Sequence, residues 1–452
     1  MSTITIAPLP PGAKHAPPPA HQETTAGSYF VTNYPPFNFW KPEFVPELLA
    51  AIEQPPRAGV PLGLYTHIPF CRKRCHFCYF KVYTDKDSSE IKDYIDAVLK
   101  EFALYAAKPF IGGRKPKFIY FGGGTPSYLS PDQLRHLTDG MKRLLPWDAA
   151  EEVTFEAEPG TLTDHKLRAI RELGVTRLSL GIEHFDDHIL EINGRAHRSK
   201  EIARAYAYAR EIGFPQINID LIAGMVEETE DKWKEAVAKA LALQPDSLTV
   251  YQMEVPYNTG IYQQMKAQGK LVAPVADWET KRRWVDYAFR EFEKVGYAVN
   301  STSTVVRDPA KVKFLYREGL FSGADLLSVG VASFGHINGV HYQNQADFAP
   351  YLDKVHAGGL PIFRAYPTKH DERYIREFML MLKLGANSRS QFKAKFGTDP
   401  LEQFAAPLAL LQDWGCLTVD GDRIVLTRDA LLQVDRLLME FFKPEHRMGK
   451  PN

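Results

Sequence analysis

The stretch Leu62-Gly63-Leu64-Tyr65-Thr66-His67-Ile68-Pro69-Phe70-Cys71-Arg72-Lys73-Arg74-Cys75-His76-Phe77-Cys78 holds the decisive transition in this chain. Its first seven residues, Leu62 to Ile68, form a short apolar run of the kind a buried strand needs, and Pro69 ends it. Three cysteines then fall within eight residues at the spacing Cys71-x-x-x-Cys75-x-x-Cys78. The chain has only four cysteines, and the last, Cys416, stands far downstream in Trp414-Gly415-Cys416-Leu417 as an inert packed residue. Such clustering indicates a metal site in a reducing compartment rather than a disulfide framework. Three thiolates suit a cubane iron-sulfur cluster with one iron left open to another ligand, whereas structural zinc takes four closed ligands. The zinc alternative would recruit His67 or His76 as the fourth.

Outward from this loop the pattern alternates. Further β-rich runs are Phe118 to Phe121, Val153 to Glu156, Arg177 to Leu180, Ile217 to Ile222 and Leu248 to Gln252. Between them lie amphipathic segments at Ser89 to Tyr105, Pro131 to Leu144, Asp164 to Leu173, Lys200 to Ile212 and Thr229 to Leu243. Six strands with helical crossovers predict parallel βαβ units of the α/β class, closed into a barrel or open as a doubly wound sheet. In either case functional groups collect where strands end. The conspicuous residues do fall there. The cysteines follow the first run, Gly122-Gly123-Gly124-Thr125-Pro126 follows the second, and Glu156 and Glu158 close the third. Glu183 follows the fourth, Asp220 lies in the fifth and Glu254 follows the sixth.

Taken together, the Tyr65-Thr66-His67-Ile68-Pro69-Phe70-Cys71 opening, the cysteine spacing and Phe121-Gly122-Gly123-Gly124-Thr125-Pro126-Ser127 resemble radical S-adenosylmethionine (SAM) enzymes. The branch they resemble is the one that includes the oxygen-independent coproporphyrinogen III oxidases. Glu156 in FEAEP, Arg195 in NGRAH and Asp220 in NIDLIAG carry the same likeness, which runs from about residue 60 to 255 and more weakly beyond. The resemblance implies a partial (β/α)6 barrel with an N-terminal arm and a mostly helical, winged-helix-like C-terminal domain. It implies a [4Fe-4S] cluster on Cys71, Cys75 and Cys78 and a SAM bound to the open iron. Tyr65, Phe77, Gly123 and Glu156 would contact that SAM, and Gly124, Thr125, Arg195 and Asp220 match positions for a second SAM. For Arg195 and Asp220 the plainer alternative is a salt bridge on the rim. A small-molecule substrate and a flavodoxin- or ferredoxin-type electron donor follow from the same likeness.

The departures bear on the reaction. Glu183 stands where the branch has glutamine, Glu254 where it has a small residue, and Phe334 where it has an isoleucine-like contact. Phe80 replaces a further cysteine, and Glu318-Gly319-Leu320-Phe321-Ser322-Gly323 replaces a G-Y-T-T-type segment. Two added carboxylates, Glu183 and Glu254, would steady a sulfonium or accept a proton. The expected activity is therefore radical SAM chemistry with a second SAM used for C-methylation or cyclopropanation of an sp2-carbon or tetrapyrrole-like substrate. The alternatives are porphyrinogen decarboxylation and a haem chaperone of the same family. SFGHINGVHYQN, with His336 and His341, offers side chains that could touch a haem, although it lacks a clear H-N-x-x-Y-W pattern.

Composition narrows the remaining classes. In 452 residues, 44% are hydrophobic and 24% charged, with 55 Lys+Arg against 55 Asp+Glu, so no global field favours nucleic acid or anionic lipid. No apolar run reaches membrane-spanning length and no secretory signal opens the chain, so a cytoplasmic protein is expected. Residues 1–28, rich in proline, read as a disordered tail, and 29–60, with Tyr29, Phe30, Tyr34, Phe37, Phe39 and Trp40, as an arm pinned to the core. The barrel and its extension are expected over 61–365, and a helical domain over 366–452. In the latter, Asp420-Gly421 between apolar runs marks a hairpin turn.

Overall fold

A computed structural model describes residues 33–269 and 274–447. The proline-rich stretch 1–28, with Tyr29 and Phe30, lies outside the described residues. The chain forms two compact units interleaved in sequence. One, here the cysteine unit, comprises 38–220 and 314–369; the other, the C-terminal unit, comprises 221–313 and 370–452 together with the segment before Asn38.

The cysteine unit is built on β1 (Leu62–Ile68), β2 (Phe118–Gly123), β3 (Glu152–Ala157) and β4 (Arg177–Glu183), each pairing parallel with the next. β5 (Gln216–Ala223) follows β4 in the sheet and carries the chain across the unit boundary after Asp220. Most residues of β1 are buried, as expected for a parallel strand covered on both faces. The helices between strands begin where their caps dictate. Asp87 accepts hydrogen bonds from the Ser89 and Glu90 N–H groups at the start of Ser88–Ala106, and Glu90 answers from N3. Ser130 and Gln133 form the equivalent box before Pro131–Leu144, with Pro131 at the first position. Each such cap is worth about 1 kcal/mol.

All six expected strands and the helices between them are present, with ends displaced by at most three residues. The glycine-rich run downstream holds strands that its pattern does not announce. β9 (Asp325–Val329) pairs parallel with β1 on the side away from β2. β10 (Phe334–Ile337), β11 (Val340–Asn344) and β12 (Ile362–Pro367) then extend the sheet antiparallel. The arm closes on this edge: Trp40, 3% exposed, stacks on His341 at 4.9 Å, and Lys41 exchanges backbone hydrogen bonds with Ala365.

In the C-terminal unit β6 (Ser247–Gln252) pairs antiparallel with β8 (Thr304–Val306), and β8 with β7 (Ala298–Ser301). Trp233 of Glu230–Leu243 stacks on Trp284 of Trp278–Lys294 at 6.2 Å and donates its Nε1–H to the Trp284 carbonyl. The last part of the chain packs helix His370–Leu382 against an aromatic cluster that includes Tyr374, Phe378, Phe392, Phe404 and Phe441. A small sheet in the order β13 (Ala386–Ser388), β15 (Arg423–Leu426), β14 (Leu417–Asp420) completes it. The β14–β15 turn residues are Gly421 and Asp422, one position beyond the expected Asp420-Gly421, because Asp420 already pairs with Arg423. Tyr34, 1% exposed, is held in this unit by His446 Nδ1 at 2.7 Å.

Candidate functional site

Parallel strands with helical crossovers bring their C-terminal ends to one rim, and the rim of the cysteine unit carries the cysteine loop and most of the expected polar residues. The loop leaves β1 at Pro69 and is fastened at both ends. Cys71 and Tyr83 are joined by a Cys71 N–H to Tyr83 carbonyl hydrogen bond, and the His76 N–H donates to the Asn193 carbonyl at 3.0 Å. Cys71 is buried, while Cys75 and Cys78 are partly accessible. Burial pushes the Cys71 thiol up to about 12, and burial with the nearby Cys75 pushes Cys78 up to about 11. These thiols therefore ionise only against a compensating positive centre, as a metal cluster provides.

Of the two histidines of the zinc alternative, His76 is already engaged and His67 keeps a buried Nε2 without a hydrogen-bond partner. His76 Nδ1 lies 2.9 Å from the Ile192 carbonyl, and His67 Nδ1 lies 3.0 Å from Tyr65 Oη inside the unit. Desolvation lowers His67 to about 4, so it is neutral. Among the described residues no three His, Cys, Asp or Glu side chains are drawn together as ligands of one ion, the three loop cysteines included.

The glycine run is a backbone cradle. Gly123 has φ +116°, and a Cβ there would stand 2.6 Å from the His67 ring. At Gly124 a Cβ would meet the backbone of Ile68, Pro69 and Phe70 at 2.9–3.0 Å. Only glycine permits that conformation and that approach. The Gly124 and Thr125 N–H groups donate to the Ile68 and Phe70 carbonyls, both at 2.8 Å, which seats the run on the cysteine loop. Thr125 Oγ1 lies 3.2 Å from Cys71 Sγ.

Carboxylates gather next to this cradle. Glu156 accepts hydrogen bonds from Tyr120 Oη at 2.5 Å and from the Gly123 N–H at 3.2 Å. Burial, with the charge of Asp220 acting in the same direction, still pushes it up to about 7. Asp220 is held by Asn218 Nδ2 at 2.8 Å and Ser179 Oγ at 3.2 Å. Glu183 ends β4 with φ +66°, a left-handed conformation that costs a non-glycine residue energy and recurs at functional positions. It is also pushed up to about 7, first by burial and then by Asp220 and Glu156, against the opposing pull of Arg195. Arg195 lies 3.5 Å from Glu183, donates to the Gly181 carbonyl at 2.6 Å and donates to Cys75 Sγ at 3.3 Å. The rim salt bridge is therefore present, yet the same guanidinium also reaches a loop thiol.

Two residues away from Glu156, Glu158 has the opposite electrostatics. Burial would raise it, but the hydrogen bond and charge of His197, with Arg195 and Arg72, outweigh this and hold it at about 2. His197 Nδ1 is 2.8 Å away and Arg72 approaches with both Nε and Nη2. This cluster clamps the cysteine loop to β3. Its members lie 39 to 86 residues apart, and nothing in the sequence pattern pairs them. Tyr120 is a second residue that the sequence reading passed over. Its signal is alternation: it pairs with Tyr65 across β1–β2, on the same inward face.

Phe77 and Tyr65 are partly accessible in this unit, and Tyr65 stacks on Tyr120 at 5.9 Å. Phe334 starts β10 and packs edge-on against Trp40 at 5.8 Å. Glu254 belongs to the C-terminal unit, just beyond β6. The expectation that His336 and His341 could meet a haem does not hold. They are 5% and 1% exposed, pair through their Nδ1 atoms at 3.2 Å, and His341 lies under Trp40.

This fold and this cysteine loop define a radical SAM protein, and residues 65–240 match the Radical SAM superfamily. The chain is 30% identical over 370 residues to the haem chaperone HemW of Bacillus subtilis, covering 81% of this chain and 96% of that protein. It is 26% identical over 397 residues to the oxygen-independent coproporphyrinogen III oxidase of Escherichia coli, covering 84% and 85%. The solved structure of Escherichia coli coproporphyrinogen III oxidase (HemN), a radical SAM enzyme, superposes with a TM-score of 0.79 at 25% identity, covering 91% of this chain and 96% of that one. The chain thus belongs to the HemN-like family of radical SAM proteins, which bind a [4Fe-4S] cluster and SAM. No helix among the described residues is long and apolar enough to cross a membrane.

Proposed function

We propose that the protein is a radical SAM enzyme that holds its [4Fe-4S] cluster on Cys71, Cys75 and Cys78 and places a second SAM at Glu183, Arg195 and Asp220. When bound, the cluster and its SAM supply a 5′-deoxyadenosyl radical. The residues of this chain bind, orient and move protons around that chemistry. Gly123 and Gly124 let backbone groups approach the methionyl part of the first SAM, and Tyr65, Phe77 and Glu156 complete its contacts. Phe334 is a further contact of the first SAM, and Thr125 and Gly124 are assigned to the second ligand together with Glu183, Arg195 and Asp220.

The observation that carries this reading is the charge imbalance on the rim. Asp220 raises both Glu156 and Glu183, and Glu156 raises Glu183 further; Arg195 opposes this at Glu183 and Arg177 at Glu156, three carboxylates against two guanidinium groups. Such a wall favours a cationic sulfonium over a polyanion. Glu183, pushed up to about 7, is suited to accept a proton from an activated second SAM at neutral pH. The products that follow are a C-methylated or cyclopropanated organic small molecule, with an sp2-carbon or tetrapyrrole-like acceptor. A flavodoxin- or ferredoxin-type donor in the cytoplasm would supply the electron.

Likeness to the Escherichia coli oxidase favours a second reading, porphyrinogen decarboxylation, and likeness to HemW favours haem transfer. One anaerobic incubation with SAM, reductant and candidate acceptors separates them. The expected result is 5′-deoxyadenosine with S-adenosylhomocysteine in parallel. Carbon dioxide release from coproporphyrinogen III without S-adenosylhomocysteine supports the oxidase. Neither nucleoside, together with a Soret band on haem addition, supports the chaperone.

A further inference from the structure

Two of the three loop thiols have a hydrogen-bond partner from outside the loop. Arg195 Nη1 donates to Cys75 Sγ at 3.3 Å, and Thr125 Oγ1 stands 3.2 Å from Cys71 Sγ. Toward a thiolate the hydroxyl must be the donor, since the sulfur then has no proton to give. Both donors are held in place by their surroundings. Nη2 of Arg195 is fixed by the Gly181 carbonyl at 2.6 Å, and the planar guanidinium then aims Nη1 at Cys75. Thr125 is seated by its N–H on the Phe70 carbonyl at 2.8 Å. Glu183 Oε1 pulls on the other side of the same guanidinium at 3.5 Å. Among the described residues Cys78 has no comparable donor: its sulfur faces the Phe80 carbonyl at 4.0 Å.

We propose that Arg195 and Thr125 are positioning residues that set the reduction potential of the cluster, with Glu183 as their counterweight. Reduction adds an electron to a cluster whose ligands are already anionic. Donors aimed at the thiolates stabilise that added charge and raise the potential, and a carboxylate beside the donor lowers it. The residues assigned to the second ligand are in this way connected to the site of electron entry. The proposal rests on the three cysteines being the cluster ligands, and it holds with or without a second SAM.

The test is an anaerobic redox titration of the full-length reconstituted protein without SAM, followed by the paramagnetic signal of the reduced cluster, with iron and sulfide assayed in each sample. Arg195→Gln is expected to lower the ratio of reduced to oxidised cluster at a fixed poise about tenfold, a shift of about 59 mV toward more negative values for a one-electron couple. Thr125→Val shifts it in the same direction about threefold, and Thr125→Ser restores the wild-type value. Glu183→Gln shifts it in the opposite direction. Unchanged midpoints in fully loaded Arg195→Gln and Thr125→Val, or a Glu183→Gln shift of the same sign as Arg195→Gln, overturn the proposal. If Arg195→Gln does not take up the cluster, the Thr125 pair decides. The ligand assignment fails separately, by a Cys75→Ala protein that keeps full iron, sulfide and an unaltered signal.

Discussion

Glu101 and Glu183 are both buried carboxylates of the cysteine unit, and burial pushes both up to about 7. Their surroundings differ. Glu101, 0% exposed on helix Ser88–Ala106, is enclosed by neutral donors: the Gly330 N–H at 2.9 Å, Tyr351 Oη at 2.6 Å and Asn344 Nδ2 at 2.6 Å. Glu183 sits in a left-handed conformation at a strand end, 12% exposed, facing one guanidinium and two other carboxylates. The first is a satisfied network that locks helix, loop and sheet together and leaves no oxygen for a ligand. The second owes its proton affinity first to burial and then to the charges of Asp220 and Glu156, which Arg195 offsets in part and an incoming cation would relieve. A raised carboxyl is therefore not by itself the mark of a site; unspent hydrogen-bonding capacity beside reactive groups is.

The comparison can be broken most severely at Glu101. Glu101→Ala leaves two buried donors, the Gly330 N–H and Tyr351 Oη, unpaired and should cost about 3 to 5 kcal/mol in denaturant unfolding. Next in size is pH. A carboxyl raised from 4.5 to about 7 in the folded state binds its proton more tightly there than in the unfolded chain. Its contribution is fully present below about pH 4.5 and is lost as pH rises through about 7, about 3 kcal/mol in all. Glu156 and Glu183 carry the same sign, so Glu101→Gln removes only its own share of the slope between pH 5 and 8. Glu183→Gln likewise removes its own share of that slope, with unfolding changed by less than about 1 kcal/mol only below about pH 4.5, but here turnover also falls about 100-fold and loses its inflection near neutral pH. The smallest effect is expected from Tyr351→Phe, about 1 kcal/mol, with the pH-dependent loss displaced upward because a bond that favours the Glu101 anion is gone.

How much of this was legible beforehand depends on the range of the interactions. The strands β1 to β6 and their helices follow from local runs, caps and breakers, and so their positions are readable within a few residues. The cysteine loop, the glycine cradle and the strand-end carboxylates are readable for the same reason: each sits beside a local signal. β9 to β12 are not, because these strands are short and interrupted by Gly330, Gly335 and Gly339, and they exist only through pairing with β1 and one another. The Glu158–His197–Arg72 clamp and the Glu101 network join residues up to 86 and 250 positions apart, beyond any periodicity. His336 and His341 show the converse error. Their histidine-rich run suggests a ligand surface, and the register of β10 against β11 buries it.

The amino-acid sequence by itself determined that this is an α/β chain with a three-cysteine loop after its first strand, a glycine cradle after its second and carboxylates at the strand ends that follow. These are properties of residue type and short spacing, which backbone sterics and parallel topology convert into one rim. Only the tertiary structure decided how those groups partition their charge. Glu156 and Glu158, two positions apart, shift in opposite directions: burial, helped by Asp220, raises the first, while His197, Arg195 and Arg72 outweigh burial and lower the second. Electrostatic energy depends on distance and burial, and a linear chain contains neither until it folds.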